Sequence, residues 1–170
     1  VYKRQLQDYI YGSAEAIGLL CLQIFLAEEN VSPADRAAME RGARALGSAF
    51  QKINFLRDLR EDSSTLGRTY FQQAPSGRID EATKSALIAE IRRELATAAL
   101  TIDLLPASAR VGVSAAADIF AELTNRLAAT PATALATTRV SVPNHTKAWL
   151  AARAVRRRGR SSQISPTGEN

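Results

Sequence analysis

Four polar side chains in this 170-residue sequence have the types and spacing of a metal site. The segment 48–62 contains neither Gly nor Pro, and its apolar residues recur at intervals of three and four, which predicts a helix. At about 100° per residue, Gln51, Asn54, Asp58 and Asp62 fall within one narrow arc of that helix. One helix face therefore carries two carboxylates and two amides.

Asp58 and Asp62 are four residues apart, and like charges at that spacing cost a bare helix about 0.2–0.5 kcal/mol. Arg57 and Arg60 are close in sequence but are predicted to point away from the shared face, so a neighbouring helix or a cation must offset the repulsion. Mg²⁺ suits such a site because it binds one or two carboxylates, keeps several waters and completes its octahedron with phosphate oxygens. The alternative is a solvated helix face, which is the better explanation of an isolated Asp-x-x-x-Asp pattern.

The residues around the aspartate pair make the pattern much more specific. They resemble the second aspartate-rich motif of the squalene/phytoene synthase family, which usually reads Phe-Gln-x-x-Asn-x-x-Arg-Asp-x-x-x-Asp followed by Gly-Arg-x-Tyr. The matching positions are Phe50, Gln51, Asn54, Arg57, Asp58, Asp62, Gly67, Arg68 and Tyr70. The resemblance implies that Asn54, Asp58 and Asp62 bind Mg²⁺, or Mn²⁺ in its place, together with a prenyl diphosphate.

A second segment, near the N-terminus, resembles another stretch of the same family. A first helix is predicted from about Leu6 to Ala27. In the family, a Tyr-x-Tyr-x-Val-Ala-Gly-x-Val-Gly stretch of this helix lines the cavity for the prenyl chain. This sequence departs from that stretch at Ser13 and Glu15. The matching positions are Tyr9, Tyr11, Ala14, Ile17 and Gly18.

The resemblance also assigns roles to individual residues. Asp58, Asp62, Gln51 and Tyr9 are predicted to be catalytic, with Gln51 and Tyr9 acting as polar groups near the diphosphate and the mouth of the cavity. The predicted substrate-binding residues are Tyr11, Ala14, Ile17, Gly18, Cys21, Gln51, Asn54 and Arg57.

Small residues accompany both segments. Gly12 and Gly18 lie inside the first predicted helix, where each costs about 1 kcal/mol relative to Ala. Close packing against another helix is the general explanation, and room for a ligand is the functional one. On the second helix, Ala43 and Gly47 extend the face of Asn54 towards the N-terminus as a slot with almost no side chain.

The resemblance implies an all-α helical bundle of the isoprenoid-synthase type that joins two prenyl diphosphates head to head. In such a bundle two aspartate-rich motifs face each other, and diphosphate loss gives a carbocation, then a cyclopropyl diphosphate, then the hydrocarbon. The Gly-Ser-Ala-Glu form of the first helix resembles bacterial phytoene synthases more than squalene synthases. The expected substrate is therefore geranylgeranyl diphosphate, and the expected product is phytoene, a carotenoid precursor. Squalene or dehydrosqualene synthesis from farnesyl diphosphate is the alternative. An alternative of another class is a non-catalytic relative that serves as an assembly or interaction protein.

The sequence contains a single Asp-x-x-x-Asp pair. In the family the first aspartate-rich motif lies upstream of the tyrosine-rich segment, which begins here at Tyr9, and the sequence opens with Val1 rather than Met. We therefore expect the C-terminal portion of a synthase whose N-terminal helices are absent and are supplied in cis or by another chain. We expect this portion alone to be inactive.

Composition favours one helical domain and excludes several other kinds of site. The chain is 46% apolar with only 6% aromatic residues, and its length fits one domain. One Cys excludes an internal disulfide, and one Cys with one His excludes the common zinc sites. This cysteine usage fits a reducing, cytoplasmic compartment. The longest apolar run, 16–27, is too short to span a bilayer.

Basic charge is concentrated near the C-terminus. Residues 153–170 carry five Arg and one Glu, and the rest of the chain has 17 basic and 16 acidic residues. A nearly neutral body argues against a nucleic-acid partner. We expect 1–155 to form part of the bundle and 156–170 to be a basic, disordered tail. Such a tail would hold the protein loosely at an anionic membrane surface, and a solvated tail without a role is the alternative.

Helix starts and breakers predict the remaining elements. Ser32 and Asp80 are predicted N-caps. Phe120 stands where the family often has a Tyr, and Arg139 and Lys147 belong to a pattern that resembles the end of the family's domain. The predicted elements are a helix over 33–61, a loop over 62–78, helices over 80–105 and 107–129, a short helix from 131, and a last helix over 144–155.

Overall fold

The computed structural model describes residues 14–65 and 79–161, with the backbone alone at 60–65 and 158–161. Within those ranges every regular element is a helix, which confirms the predicted all-α class. The helices are α1 (Ala16–Phe25), α2 (Pro33–Thr65), α3 (Glu81–Ile102), α4 (Ala107–Ala129), α5 (Ala132–Leu135) and α6 (Asn144–Ser161). None of the helices so described is long and apolar enough to cross a membrane.

Two N-terminal caps fix the starts of α2 and α3. Ser32 Oγ accepts a hydrogen bond of 3.1 Å from the backbone N–H of Asp35 and donates one of 2.8 Å to the Asp35 carboxylate. Asp80 Oδ1 accepts a hydrogen bond of 2.7 Å from the N–H of Thr83. Hydrogen bonds from Thr83 hold the pKa of Asp80 below its ordinary value because they favour the ionised carboxylate. Both caps predicted from the sequence are confirmed.

The end of α2 differs from the prediction. The helix continues to Thr65 instead of ending near Glu61, so Asp62 lies on the helix and not in a loop. The predicted loop over 62–78 is therefore wrong at 62–65, where Ser63 and Ser64 lie within the helix. Serine is only a moderately poor helix former, and the first glycine after the helix is Gly67, so the backbone has no strong reason to stop earlier.

The ends of α3 and α6 also differ. α3 ends at Ile102 and not at 105, and a turn leads to Pro106, whose ring disfavours helical geometry in the residue before it. α6 continues to Ser161, so the first part of the predicted disordered tail is helical. Arginine is a good helix former, which explains why the run 156–158 extends the helix. The remainder of the predicted tail, 162–170, lies outside the described residues.

α2 is the central helix, because it contacts α1, α3, α4 and α5. Polar bonds fix its antiparallel register on α3. The buried Lys52 ammonium donates to the carboxylates of Glu90 and Glu94, and Ser48 Oγ donates to Glu94 at 2.8 Å.

Two apolar clusters flank these bonds. The larger consists of Ala49, Ile53, Leu56, Ile79, Ile88, Ile91, Leu123, Leu127, Ala132, Leu135 and Val142. The smaller consists of Leu22, Leu26, Met39 and Leu105.

Glycines allow α1 to pack directly against the backbone of α2. A Cβ on Gly18 would lie 2.5 Å from the carbonyl oxygen of Ala43, and a Cβ on Gly47 would overlap the carbonyl oxygen of Ala14. Neither position has room for a side chain. Close helix packing, the general explanation of such glycines, therefore accounts for Gly18, whereas Gly12 lies outside the described residues.

Candidate active site

A cavity of about 440 Å³ lies between α1, α2, α3 and α4. Six residues that the resemblance assigned to substrate binding line it together: Ala14, Ile17, Gly18, Cys21, Gln51 and Asn54. Arg57 is not among the lining residues, and Tyr11 lies outside the described part of the chain, as does the predicted catalytic Tyr9. The faces of α1 and α2 that the sequence predicted to bind substrate thus line the same cavity.

The cavity is polar at one end and apolar at the other. Gln51 and Asn54 line it on the C-terminal half of α2, and Met39 lines it near the start of the same helix. Asn54 and Met39 are 15 residues apart, which at 1.5 Å per residue is about 22 Å along the axis. At the apolar end Met39 and Leu105 are buried, so this part of the lining belongs to the core. The shape suits an extended hydrocarbon chain with a polar head.

The polar end contains an amide oxygen without a partner. Asn54 Oδ1 is buried and accepts no hydrogen bond from any described residue. An unpaired buried acceptor of this kind costs about 1–3 kcal/mol unless a ligand or water satisfies it. Asn54 precedes Asp58 by one helical turn, so an amide oxygen and a carboxylate share the face predicted for the metal. The donor set fits Mg²⁺, which prefers oxygen ligands.

The carboxylate of Asp58 is bound by two guanidinium groups. Arg57 Nε and Nη2 donate to its two oxygens at 2.8 and 2.6 Å, and Arg139 Nη2 lies 3.6 Å from Oδ1. The prediction that Arg57 points away from the aspartates is therefore wrong. Adjacent helical residues diverge by about 100°, but the long arginine side chain bends back far enough to bind its neighbour in a bidentate manner.

The second aspartate of the motif can be placed only by its backbone. Asp62 lies one turn beyond Asp58 on the same helix, and its side chain is outside the described set. Among the described side chains, no group of three His, Cys, Asp or Glu could hold a metal ion. The predicted set has two aspartates and one asparagine, so a group of three such residues was not expected.

Aromatic stacking closes one wall near the polar end. The rings of Phe50 and Phe120 are stacked, with centroids 3.8 Å apart and planes 19° apart, and Phe50 lines the cavity. Phe120, which stands where the family often has a Tyr, therefore lies directly behind the cavity wall. An apolar ring in that place supports exclusion of water.

Several lining residues were not identified from the sequence. Those on α2 continue the face of Asn54 towards the start of the helix, and a longer search along the stripe of Ala43 and Gly47 would have found them. Those on α3 and α4 carry no comparable signal because ordinary core residues have the same types and spacing. The unidentified residues include Met39, Gly42, Leu46, Ala98, Thr101, Ile102, Leu105, Val113 and Ala116.

The model of the squalene/phytoene synthase family matches residues 3–146. The chain belongs to this family. The match covers the motif around Asp58 and extends into α6, and the helical fold is the one that the resemblance implied. No solved structure matches the chain.

Three curated proteins are similar to parts of the chain. A bifunctional lycopene cyclase/phytoene synthase of Blakeslea trispora is 27% identical over 71% of the chain and 22% of its own length. Phytoene synthase 3 of Zea mays, a chloroplastic protein, is 42% identical over 41% of the chain and 16% of its own length. A 4,4'-diapophytoene synthase of Staphylococcus haemolyticus is 41% identical over 42% of the chain and 22% of its own length. The matches therefore span less than a quarter of each of these relatives.

Proposed function

We propose that this chain supplies one prenyl-diphosphate site of an enzyme that joins two prenyl diphosphates head to head. One observation carries the proposal: a cavity with an apolar end has Asn54 at its polar end, one turn from Asp58, and the buried Oδ1 of Asn54 accepts no hydrogen bond from any described residue. An extended prenyl chain fits the apolar part, and a diphosphate with its cation fits the polar part. Membership of the family supports the same interpretation.

Asn54, Asp58 and Asp62 are the residues that would hold Mg²⁺, and Mn²⁺ could replace it. When bound, the ion supplies neutralisation of the charge on the departing diphosphate. Arg57 and Arg139 place two positive charges beside Asp58, where they keep the carboxylate oriented. Gln51 contributes a polar side chain between the carboxylate and the apolar cavity.

The apolar walls would protect the reacting carbon skeleton. A carbocation reacts with any water that reaches it, so the reaction needs a lining that holds little water. Phe50, stacked on Phe120, and the helices on either side form such a lining next to the polar end. These residues exclude solvent and fix the chain, and they need no chemical step of their own.

The distance along α2 between its polar and apolar lining residues suits a chain of four isoprene units. Three backbone bonds of an extended peptide span about 3.3–3.6 Å, so by proportion the four bonds of an isoprene unit span roughly 4.5–5 Å. Four units are then about 19 Å long and three about 14 Å, against about 22 Å between Asn54 and Met39 on the helix. We therefore propose geranylgeranyl diphosphate as substrate and phytoene as product. Farnesyl diphosphate, with a squalene-type product, is the alternative.

The chain on its own is proposed to be inactive. Its sequence offers a single Asp-x-x-x-Asp pair, and one site can bind one of the two diphosphates. The facing carboxylates would come from N-terminal helices, in cis or from another chain. A non-catalytic assembly or interaction protein would have no use for a buried Asn54 Oδ1 that accepts no hydrogen bond from any described residue.

The test is substitution of Asp58 by Asn in the complete enzyme with labelled geranylgeranyl diphosphate and Mg²⁺. We expect turnover to fall by about two orders of magnitude or more, because electrostatic stabilisation of this kind is worth several kcal/mol. The far-UV circular dichroism should not change. Asp103→Asn is the matched control, since Asp103 is exposed at the end of α3 and does not line this cavity. Near-normal turnover of Asp58→Asn would refute the assignment.

A further inference from the structure

The outer side of α6 carries two large apolar side chains that are more than half exposed. Trp149 and Val155 are each 57% exposed, although both belong to a helix whose opposite face is buried through Leu150 and Ala154. At about 100° per residue, Trp149 and Arg156 lie on the same side of the helix, two turns apart. Arg156 is exposed. The outer side of the helix therefore carries an indole and a guanidinium group about 10 Å apart along the axis.

The same helix has a strongly one-sided charge. Residues 144–161 contain five Arg, one Lys and no Asp or Glu. Asp118 of α4 lies 3.4 Å from Arg153 and 3.6 Å from Arg157, so two of the arginines are held against the bundle. One carboxylate cannot balance that number of cations. The Arg153 guanidinium also lies 5.3 Å from the centre of the Trp149 ring, within the range of a cation–π contact.

We propose that the outer face of α6, defined by Trp149, Val155 and Arg156, docks on an anionic lipid surface. A tryptophan ring favours the boundary between headgroups and acyl chains, and basic side chains next to it favour anionic headgroups. A helix with this arrangement lies along the surface and does not cross it. The rest of the chain is nearly neutral, so the attraction is confined to this end. The proposal does not depend on the reaction assigned to the cavity.

A nucleic acid would also attract the arginines, but it gives no reason for two exposed apolar side chains, Trp149 and Val155, on the same helix. The lipid surface explains both the charge and the apolar side chains. Preferential binding to RNA would therefore contradict the proposal.

Trp149 is the single tryptophan of the chain, so its fluorescence reports the proposed contact directly. The chain is mixed with vesicles of phosphatidylcholine alone, or of equal parts phosphatidylcholine and phosphatidylglycerol, and the emission maximum is followed. We expect a shift to shorter wavelength and flotation with the anionic vesicles, both reduced by salt, and neither with the neutral ones. No shift with anionic vesicles, an equal shift with both compositions, or a preference for RNA over anionic vesicles would overturn the proposal.

Paired substitutions test whether the position of the charge matters. Arg156→Gln should weaken partitioning to anionic vesicles about fivefold, the factor that corresponds to roughly 1 kcal/mol per basic residue at such a surface. Arg93→Gln removes the same charge from an exposed position on α3 and should leave partitioning unchanged. Equal losses in the two variants would show that net charge alone is responsible and would refute docking through α6. Circular dichroism checks that both variants remain folded.

Discussion

The ammonium group of Lys84 donates a hydrogen bond of 2.6 Å to the carbonyl oxygen of Thr130, where the start of α3 meets the end of α4. It also donates to the carbonyl oxygen of Ala128 at 3.3 Å and lies 2.6 Å from a carboxylate oxygen of Glu81. The side chain is only 3% exposed. The last carbonyls of a helix lack intrahelical partners and carry partial negative charge. The buried lysine cation donates hydrogen bonds to these carbonyls and also balances their negative charge.

Replacement of this lysine should destabilise the fold. We expect Lys84→Met to lower the free energy of unfolding by about 2 kcal/mol, because hydrogen bonds from charged groups contribute about 1.5–3 kcal/mol and the carbonyls would remain buried. Urea titration followed by circular dichroism measures the change. Lys147→Met, at an exposed lysine, should stay within about 0.5 kcal/mol of the parent chain. Equal effects of the two substitutions would contradict the role of Lys84.

Glu81 makes part of this junction sensitive to acid. The hydrogen bond from Lys84, followed by the bond from the backbone N–H of Ala132 at 2.9 Å, lowers the pKa of Glu81 from its ordinary value of 4.5. A lowered folded-state pKa gives stability that is present above the ordinary pKa and is lost as the pH falls through the lowered one. The melting temperature of the parent chain should therefore exceed that of Glu81→Gln at neutral pH, with the difference vanishing in acid. A difference in melting temperature that grows in acid would contradict the predicted direction of the pH dependence. Glu29→Gln, at an exposed carboxylate before α2, is the control.

Two glycines should respond oppositely to the same substitution. Gly18→Ala places a methyl group 2.5 Å from the carbonyl oxygen of Ala43, so α1 must move away from α2, and we expect a clear loss of stability. At Gly112, inside α4, a methyl group would meet no atom of the described chain within 4 Å. Gly112→Ala should therefore stabilise by about 0.5–1 kcal/mol through helix propensity alone. Thermal unfolding of the two variants measures both changes. Stabilisation by Gly18→Ala would show that α1 does not pack as described.

Arg139 should contribute to turnover through Asp58. It reaches that carboxylate from the segment between α5 and α6, and its side chain is half exposed. In the complete enzyme we expect Arg139→Ala to reduce kcat/KM up to about fivefold, which corresponds to loss of one half-exposed ion pair of at most about 1 kcal/mol. Arg93→Ala, at an exposed arginine of α3, should leave kcat/KM unchanged. An Arg139→Ala enzyme as active as the parent would remove this residue from the site.

The sequence predicted the elements well where local rules decide them. Ser32 and Asp80 cap helices as expected, because their side chains reach N–H groups three residues on whatever the rest of the fold does. The predicted end of α2 was wrong, since Ser63 and Ser64 only weaken a helix and tertiary context decides whether it stops.

The site was predictable to the extent that one helix carries it. Gln51 and Asn54 share a face by periodicity alone, and the family motif identified that face. The ion pair between Arg57 and Asp58 was not predictable, because periodicity describes where a Cα–Cβ bond points and not how a long side chain bends. The contact from Arg139 depends on how α5 and α6 return to α2, and no local pattern encodes that path.

Cys21 lines the same cavity as Gln51 and Asn54, and it is exposed. It is also the single cysteine of the 170-residue sequence. A thiol-reactive spin label or fluorophore would therefore attach at one known place without any prior mutagenesis. Protection of that thiol from alkylation by added prenyl diphosphate would report occupancy of the cavity in real time, independently of turnover.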